Sequence, residues 1–156
     1  MEFRKAKISD KEGIAEVLRQ SFNISSMKEG IEAFRNEYQK GYNFVVAVEN
    51  KKVLGITTWI VHGLPKHGLA QLDRIAVLPE YKGKGVSDKL FEFLLKDVQK
   101  FYRSKKSKLR KLYILTHSEN ERAQAFYKRM GFKFDAKLKD HYYKGKDEYM
   151  MSIFFK

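Results

Sequence analysis

Two runs rich in β-branched residues, Phe44–Val48 and Val53–Val61, are separated only by the polar stretch Glu49–Lys52. A polar connection this short predicts an antiparallel hairpin, because it leaves no room for a crossover. A third run, Leu69–Val77, follows an irregular loop and is stopped by Pro79. These three strands predict a sheet in the middle of the chain, and the other elements must pack around it.

Segments with helical or strand periodicity flank this central sheet on both sides. They follow one another as strand, helix and helix before the sheet, and as helix, strand, helix, strand and strand after it: Phe3–Ile8, 9–22, 26–38, 84–102, Leu112–Thr116, 119–130, Phe132–Leu138 and Glu148–Phe155. This order predicts one mixed α/β sheet. The chain has 156 residues, of which 43% are hydrophobic, so we expect a single domain spanning 1–156 with its own core.

Several classes of protein can be set aside from composition. Cysteine is absent, which excludes disulfides, thiolate metal sites and cysteine nucleophiles. No stretch approaches the roughly 18 apolar residues of a membrane span, and Met1–Ile8 is charged rather than signal-like, so we expect a soluble, cytoplasmic protein. His62 and His67 lack neighbouring carboxylate or thiolate ligands and are predicted to be ordinary loop histidines, with no metal site.

The chain is strongly basic, with 32 Lys and Arg against 19 Asp and Glu and a net charge of +13. Such a field attracts polyanions, a class that includes both nucleic acid and coenzyme A. Seven of the cations lie between Lys100 and Lys111. The favoured interpretation is a solvated helix end that complements the helix dipole, because no nucleic-acid recognition motif accompanies the charge. We therefore do not expect a nucleic-acid partner.

A glycine-containing junction connects the Leu69–Val77 strand to the amphipathic helix that follows. Gly83 and Gly85 let the backbone approach a ligand, and unpaired N–H groups at a helix start favour a phosphate. Lys82 and Lys84 add positive charge. The junction lacks the full dinucleotide and nucleoside-triphosphate patterns, so a phosphate site and a plain tight turn both stay open from these residues alone.

The same junction resembles motif A of the GNAT N-acetyltransferase superfamily, whose signature is Arg/Gln-x-x-Gly-x-Gly/Ala after an Ala-Val-x-Pro strand end. Here it reads Lys82-x-x-Gly85-x-Ser87, with lysine replacing the planar guanidinium and serine replacing Gly or Ala. The segment from Asn120 to Phe132 is similar to motif B, Asn-x-x-Ala-x-x-Phe-Tyr-x-x-x-Gly-Phe, and fills every position. The resemblance covers nearly the whole chain.

This resemblance implies a mostly antiparallel sheet of about seven strands, flanked by about four helices, with the fourth and fifth strands splayed apart. It also implies acetyl-CoA as cofactor, CoA as product, and direct attack by a primary amine of a protein, peptide, polyamine or other small molecule in a ternary complex. The cofactor-binding residues that it implies are Ile75, Ala76 and Val77 along the strand, the amides of Lys82, Gly83, Lys84, Gly85, Val86 and Ser87, and Asn120 and Tyr127 beside the pantetheine arm and sulfur.

Two residues are candidates for catalysis. The resemblance places Tyr127 next to the leaving sulfur, where a neutral phenol can act as general acid. Asp73 is the only carboxylate on the predicted fourth strand, and it shares a face with Ile75 if no bulge intervenes. It is therefore a possible general base, although a surface ion pair or a water relay would explain it equally well.

The acceptor is left open by the sequence. Tyr142-Tyr143 is similar to a turn in protein N-terminal acetyltransferases, but Leu115 occupies the position, five residues before Asn120, where those enzymes often carry a base. We expect an amine substrate, no membrane partner, and a monomer or homodimer. The alternative functions are a basic nucleic-acid-binding protein and a CoA-sensing protein on the same scaffold.

Overall fold

The computed structural model, which describes residues 1–156, contains seven strands and four helices. The strands are β1 Glu2–Lys5, β2 Asn43–Glu49, β3 Lys52–His62, β4 Leu69–Val77, β5 Lys111–His117, β6 Lys133–Tyr143 and β7 Lys146–Phe154. The helices are α1 Lys11–Ser21, α2 Met27–Gln39, α3 Val86–Ser104 and α4 Glu121–Arg129. None of these helices has the length and apolar character needed to span a bilayer.

All seven strands belong to one sheet in the order β1-β2-β3-β4-β5-β7-β6. Every neighbouring pair is antiparallel except β4 and β5, which run parallel. The parallel ladder pairs only Leu69–Gln71 with Lys111–Tyr113, and the two strands separate beyond it. The predicted mixed sheet with splayed fourth and fifth strands is therefore confirmed.

The helices cover the two faces of the sheet unequally. On one face α3 and α4 pack over a core that contains Trp59, Leu94 and Tyr127. On the other face α1 packs on β3 and β4, and α2 packs on α1, around Leu18 and Phe34. The second face is thus covered over the first half of the sheet and open over β5, β7 and β6.

A β-bulge interrupts β4 at Asp73. Thr58 pairs with Arg74 and Trp59 with Leu72, which leaves Asp73 as the extra, unpaired residue. The side chains change faces across it, because Leu72 belongs to the core under α3 whereas Ala76 belongs to the core under α1. The condition under which Asp73 would share a face with Ile75, that no bulge intervenes, is therefore not met.

Two predicted boundaries also need correction. The first strand ends at Lys5 instead of Ile8, because Ile8–Asp10 forms a short 3-10 turn in which the Asp10 carboxylate accepts the Lys7 amide at 2.7 Å. Near the other end, β6 does not stop at Leu138. Its register shifts between Leu138 and Tyr143, so that the strand continues and carries both adjacent tyrosines.

Candidate active site

The separation of β4 and β5 opens a cleft of about 940 Å³. Its walls are the carboxyl half of β4, residues 73–77, and residues 114–116 of β5. Its floor is formed by the loop before α3 and by one face of α4. Among the residues predicted to bind the cofactor or to act in catalysis, all line this cleft except Lys84.

The loop before α3 presents a row of free backbone donors. The amides of residues 83–88 donate to no acceptor in the protein, and the first backbone bond at this helix start runs from Lys89 to the carbonyl of Gly85. Gly83 and Gly85 have φ of 78° and 79°, a region that other residues adopt only with strain. The Lys82 amide, by contrast, donates to Pro79 at 3.2 Å and so is not free, which shifts the predicted row by one residue.

The cationic side chains near these amides are only partly the predicted ones, Lys82 and Lys84. Lys82 lines the cleft, but the Lys84 ammonium lies 5.3 Å from the ring centre of Tyr81. Two arginines that the sequence reading missed, Arg122 and Arg129, also line the cleft. Their separation of seven residues places both on one face of a helix, and that spacing is the signal that could have found them.

Tyr127 is the most deeply buried titratable group of the cleft, with 8% of its surface exposed. Its ring packs edge-on against Phe126 and Phe132, with centroids 5.5 and 5.7 Å away. Burial raises the pKa of Tyr127 to about 12. The phenol is therefore neutral at physiological pH and keeps its proton as a donor.

Asn120 lies at the start of α4 and caps that helix. Its side-chain oxygen accepts the Ala123 amide at 3.1 Å. Because the cap uses the oxygen, the NH₂ group is the part of this side chain that is left for a ligand.

Asp73 occupies the cleft wall opposite α4, at the bulge. Burial raises the pKa of Asp73, while Arg74, a hydrogen bond from Thr58 and His62 act against that shift. Most of the Arg74 charge is directed elsewhere, since its Nη1 contacts both carboxylate oxygens of Glu37 at 2.7 and 2.8 Å. The pKa of Asp73 is therefore raised, and the Arg74 cation beside it is already paired with Glu37.

Three tyrosines surround Asp73 on the open face of the sheet. They are Tyr42 before β2, Tyr113 on β5 and Tyr142 on β6. Burial and then the nearby charge of Asp73 raise the pKa values of Tyr42 and Tyr142, and burial, Tyr142 and Asp73 together raise that of Tyr113. Tyr142 is nevertheless 60% exposed, so the wall that it forms is open to solvent. The group is an acidic, aromatic wall beside the cleft, and of its four residues only Asp73 lines the cleft.

The two histidines that raised the question of a metal have other partners. His62 ends β3, where its Nε2 lies 2.8 Å from the Gln71 side-chain oxygen and its ring stacks on Tyr113 at 5.6 Å. His67 uses its Nδ1 to accept the Leu64 amide at 3.0 Å. Each histidine holds a local structure together.

A second buried carboxylate near this wall was missed by the sequence reading. Glu148 on β7 is only 3% exposed, and its Oε2 lies beside His117 Nδ1 without accepting an aligned hydrogen bond. Its charge contributes, after burial and Asp73, to the raised pKa of Tyr142. No sequence pattern marks it, because its burial depends on the pairing of His117 with Glu148 across two strands distant in the chain.

Comparison with known proteins supports a family assignment. Residues 40–134, more than half of the chain, match the family model described as the acetyltransferase (GNAT) domain. An N-alpha-acetyltransferase of Saccharolobus solfataricus is 33% identical over 78 residues, which cover 50% of this chain and 44% of that protein. A spermine/spermidine N(1)-acetyltransferase of Bacillus subtilis is 30% identical over 73 residues, or 47% of this chain and 45% of that protein.

The chain thus spans about half the length of the curated relatives it matches. Among solved structures, a GNAT-family putative acetyltransferase from Desulfovibrio desulfuricans superposes with a TM-score of 0.79 at 23% identity, covering 98% of both chains. At that level of identity the likeness concerns the fold.

Proposed function

The chain belongs to the GNAT acetyltransferase family, and on this premise we propose that it transfers an acetyl group from acetyl-CoA to a primary amine by direct attack in a ternary complex. One observation carries the proposal. A single cleft between splayed β4 and β5 brings together a row of free amides at residues 83–88 and the neutral, buried phenol of Tyr127. The first group suits a pyrophosphate and the second suits a leaving thiolate.

The residues present fit acetyl-CoA, which supplies an activated acyl thioester when bound. The unpaired β4 edge at Ile75, Ala76 and Val77 offers backbone groups to the pantetheine amides, since β5 does not pair with it there. The amides of residues 83–88 bind the pyrophosphate, and Lys82 supplies a mobile charge beside them. Asn120 donates to the pantetheine arm through its NH₂ group.

Tyr127 acts as the general acid in this scheme. With acetyl-CoA bound, its hydroxyl would donate a proton to the thioester sulfur as the carbon–sulfur bond breaks, so that CoA would leave as a neutral thiol. The raised pKa keeps the proton on the phenol until that step. The surrounding rings of Phe126 and Phe132 exclude water from it.

Asp73 is the proposed base for the acceptor. A primary amine with an ordinary pKa near 10.4 must lose a proton before its lone pair can attack the carbonyl. Burial raises the proton affinity of Asp73, which makes it a better acceptor for that proton than an exposed carboxylate. Asp73 lines the cleft at the bulge of β4.

The wall around Asp73 supports an acceptor that arrives as a cation. Tyr42, Tyr113 and Tyr142 offer ring faces and hydroxyls, and Glu148 adds a second buried charge. Peptide amines and polyamines both meet this description. They are also the acceptor classes that the names of the two relatives indicate.

The test is a pair of measurements on the same protein. Calorimetry with acetyl-CoA and CoA measures binding, and a panel of peptides, polyamines and small amines with labelled acetyl-CoA measures transfer. We expect micromolar binding and transfer to at least one cationic amine. Absence of binding at millimolar cofactor would exclude the proposal, whereas binding without transfer to any amine would identify a CoA-sensing protein instead.

A further inference from the structure

The end of the sheet opposite the cleft carries positive charge that the proposed reaction does not use. No Asp or Glu occurs between Glu49 and Asp73, and none occurs between Asp97 and Glu119. The structure brings these two acid-free stretches together where β4 and β5 begin. The cations of the two stretches that lie at this end of the sheet therefore have no acidic residue within their own stretch.

Hydrogen bonds fix the two stretches to each other. The Ser107 hydroxyl donates to the Pro65 carbonyl at 2.7 Å, and Arg110 donates from its amide to Gly68 at 2.8 Å and from Nε to His67 at 3.1 Å. Gly68 adopts φ of 59°, and a Cβ there would collide with the backbone of the neighbouring connection. The surface is thus preorganised, unlike a frayed helix end.

Six exposed cations make up this surface, which we call the basic platform: Lys66, Arg103, Lys105, Lys106, Lys108 and Arg110. None of them pairs with a carboxylate, whereas the adjacent Lys111 pairs with Asp135 at 2.7 Å and marks the edge of the platform. The helix dipole accounts for little of this arrangement, since only Arg103 lies in the last turn of α3 and the others follow or face that helix.

Although the sequence alone does not lead us to expect a nucleic-acid partner, we propose that the basic platform binds nucleic acid through its phosphate backbone, without reading bases. Exposed, unpaired Lys and Arg side chains on a rigid surface are the groups that neutralise phosphates and release their counterions. An anionic membrane fits less well, because stable membrane binding needs an apolar anchor in addition to charge and Leu64 is the only large apolar side chain exposed on these two stretches.

The platform and the cleft lie at opposite ends of β4 and β5, so both can be occupied at once. The parallel ladder of Leu69–Gln71 with Lys111–Tyr113 separates them. Nucleic acid bound at the platform would leave the cofactor and acceptor sites open. This function is independent of the acetyl transfer proposed above.

The experiment is fluorescence anisotropy with a labelled 20-nucleotide single-stranded RNA and with a DNA duplex of equal length, between 50 and 300 mM salt. We expect submicromolar to micromolar binding at 50 mM salt that weakens steeply as salt rises. The variant Lys66→Gln/Lys105→Gln/Lys106→Gln/Lys108→Gln should weaken RNA binding at least tenfold and lower the salt slope by about 3. Arg110 is left intact because it holds the platform together.

A matched control removes the same charge elsewhere. Lys28, Lys40, Lys133 and Lys139 are also exposed and unpaired, and their combined change to Gln should reduce binding less than threefold. Acetyl-CoA affinity should be unchanged in both variants, which verifies the fold. No binding at 50 mM salt, an equal loss in the control variant, or equal affinity for phosphatidylserine vesicles would each overturn the proposal.

Discussion

The two ends of β4 and β5 differ although the strands run side by side. At their amino ends the strands pair, the Tyr102 hydroxyl donates to the Leu69 carbonyl at 2.7 Å, and the Gly68 carbonyl accepts two amides. At their carboxyl ends the strands part, Asp73 bulges, and the amides of residues 83–88 have no acceptor. At the amino ends the backbone groups are hydrogen-bonded, and this pairing holds the two strands in place. At the carboxyl ends the backbone groups are unpaired, so they are available to a ligand.

Two buried tyrosines give the sharpest test of this difference. Replacing Tyr127 with Phe removes the proton donor but keeps the packing with Phe126 and Phe132, so kcat should fall about 10²- to 10³-fold with little change in acetyl-CoA affinity. Steady-state kinetics and calorimetry measure the two quantities. Unchanged kcat would remove Tyr127 from the role of general acid.

The matched control is Tyr102→Phe at the paired end. Tyr102 is fully buried and its hydroxyl serves only the Leu69 carbonyl. Its loss should cost about 1–2 kcal/mol of unfolding free energy and leave kcat unchanged. A large fall in kcat here would mean that the two ends are not separate in function.

Glycine substitutions test whether the amino ends of β4 and β5 are tightly packed, and the measured quantity is the free energy of unfolding. Gly68→Ala places a Cβ against the backbone of Lys108 and Arg110 at a φ of 59°, and should lower the unfolding free energy by about 2–3 kcal/mol. Gly145→Ala, at a φ of 79° with open space around it, should cost only about 1 kcal/mol. Urea denaturation compares them, and equal losses would show that the platform is not tightly packed.

The pH dependence of stability tests the environment of Asp73, at the carboxyl end of β4 where the strands separate. The folded pKa of Asp73 is raised, mainly by burial, so its ionised form opposes folding and its contribution to stability is lost as pH rises through the folded pKa. Asp73→Asn should therefore raise Tm at pH 7. The gain should vanish as pH falls below about 4, the unfolded value.

Asp10 provides a comparison, because its pKa is shifted in the opposite direction to that of Asp73. A hydrogen bond with Arg4 holds the pKa of Asp10 below its ordinary value, so it stabilises the fold above the unfolded pKa and the effect is lost at lower pH. Asp10→Asn should lower Tm at pH 7, and the loss should shrink on acidification. Thermal melts from pH 3 to 8 measure both variants, and the same sign for both would contradict the assignment of Asp73.

The smallest expected effect concerns Lys82. The Lys82 amide is used by Pro79, so this residue can contribute only its side chain to an anion. Lys82→Arg replaces a point charge with a planar fork and should tighten acetyl-CoA binding about threefold. Calorimetry measures the affinity, and unchanged binding would show that the side chain at position 82 does not reach the phosphates.

Local patterns predicted most of the fold. The β-branched runs at Phe44–Val48 and Val53–Val61 became β2 and β3, and the amphipathic segment 84–102 became α3, with Leu90 and Leu94 on its buried face. The errors occur where a contact with a residue outside the predicted segment decides. Arg4 and Lys7 meet Asp10 and end β1 early, and no propensity of residues 3–8 reports that contact.

The candidate site could likewise be predicted where the local sequence determines it, and could not be predicted where a residue elsewhere in the chain does. Residues within a motif, such as Gly85, Asn120 and Tyr127, were found because their spacing along the chain is fixed. The bulge at Asp73 could not be predicted, because it depends on the register against β3. The burial of Glu148 likewise arises from its pairing with β5, which the local sequence does not encode.

The three-pair ladder between β4 and β5 also has a mechanical consequence. It is the only strand pairing between two half-sheets, one made of β1 to β4 and the other of β5, β7 and β6. A ligand that fills the gap contacts both half-sheets, and at a concentration of 100 times its Kd it stabilises the folded state by about 2.7 kcal/mol. The concentration of free cofactor would then set how firmly the two halves of the molecule hold together.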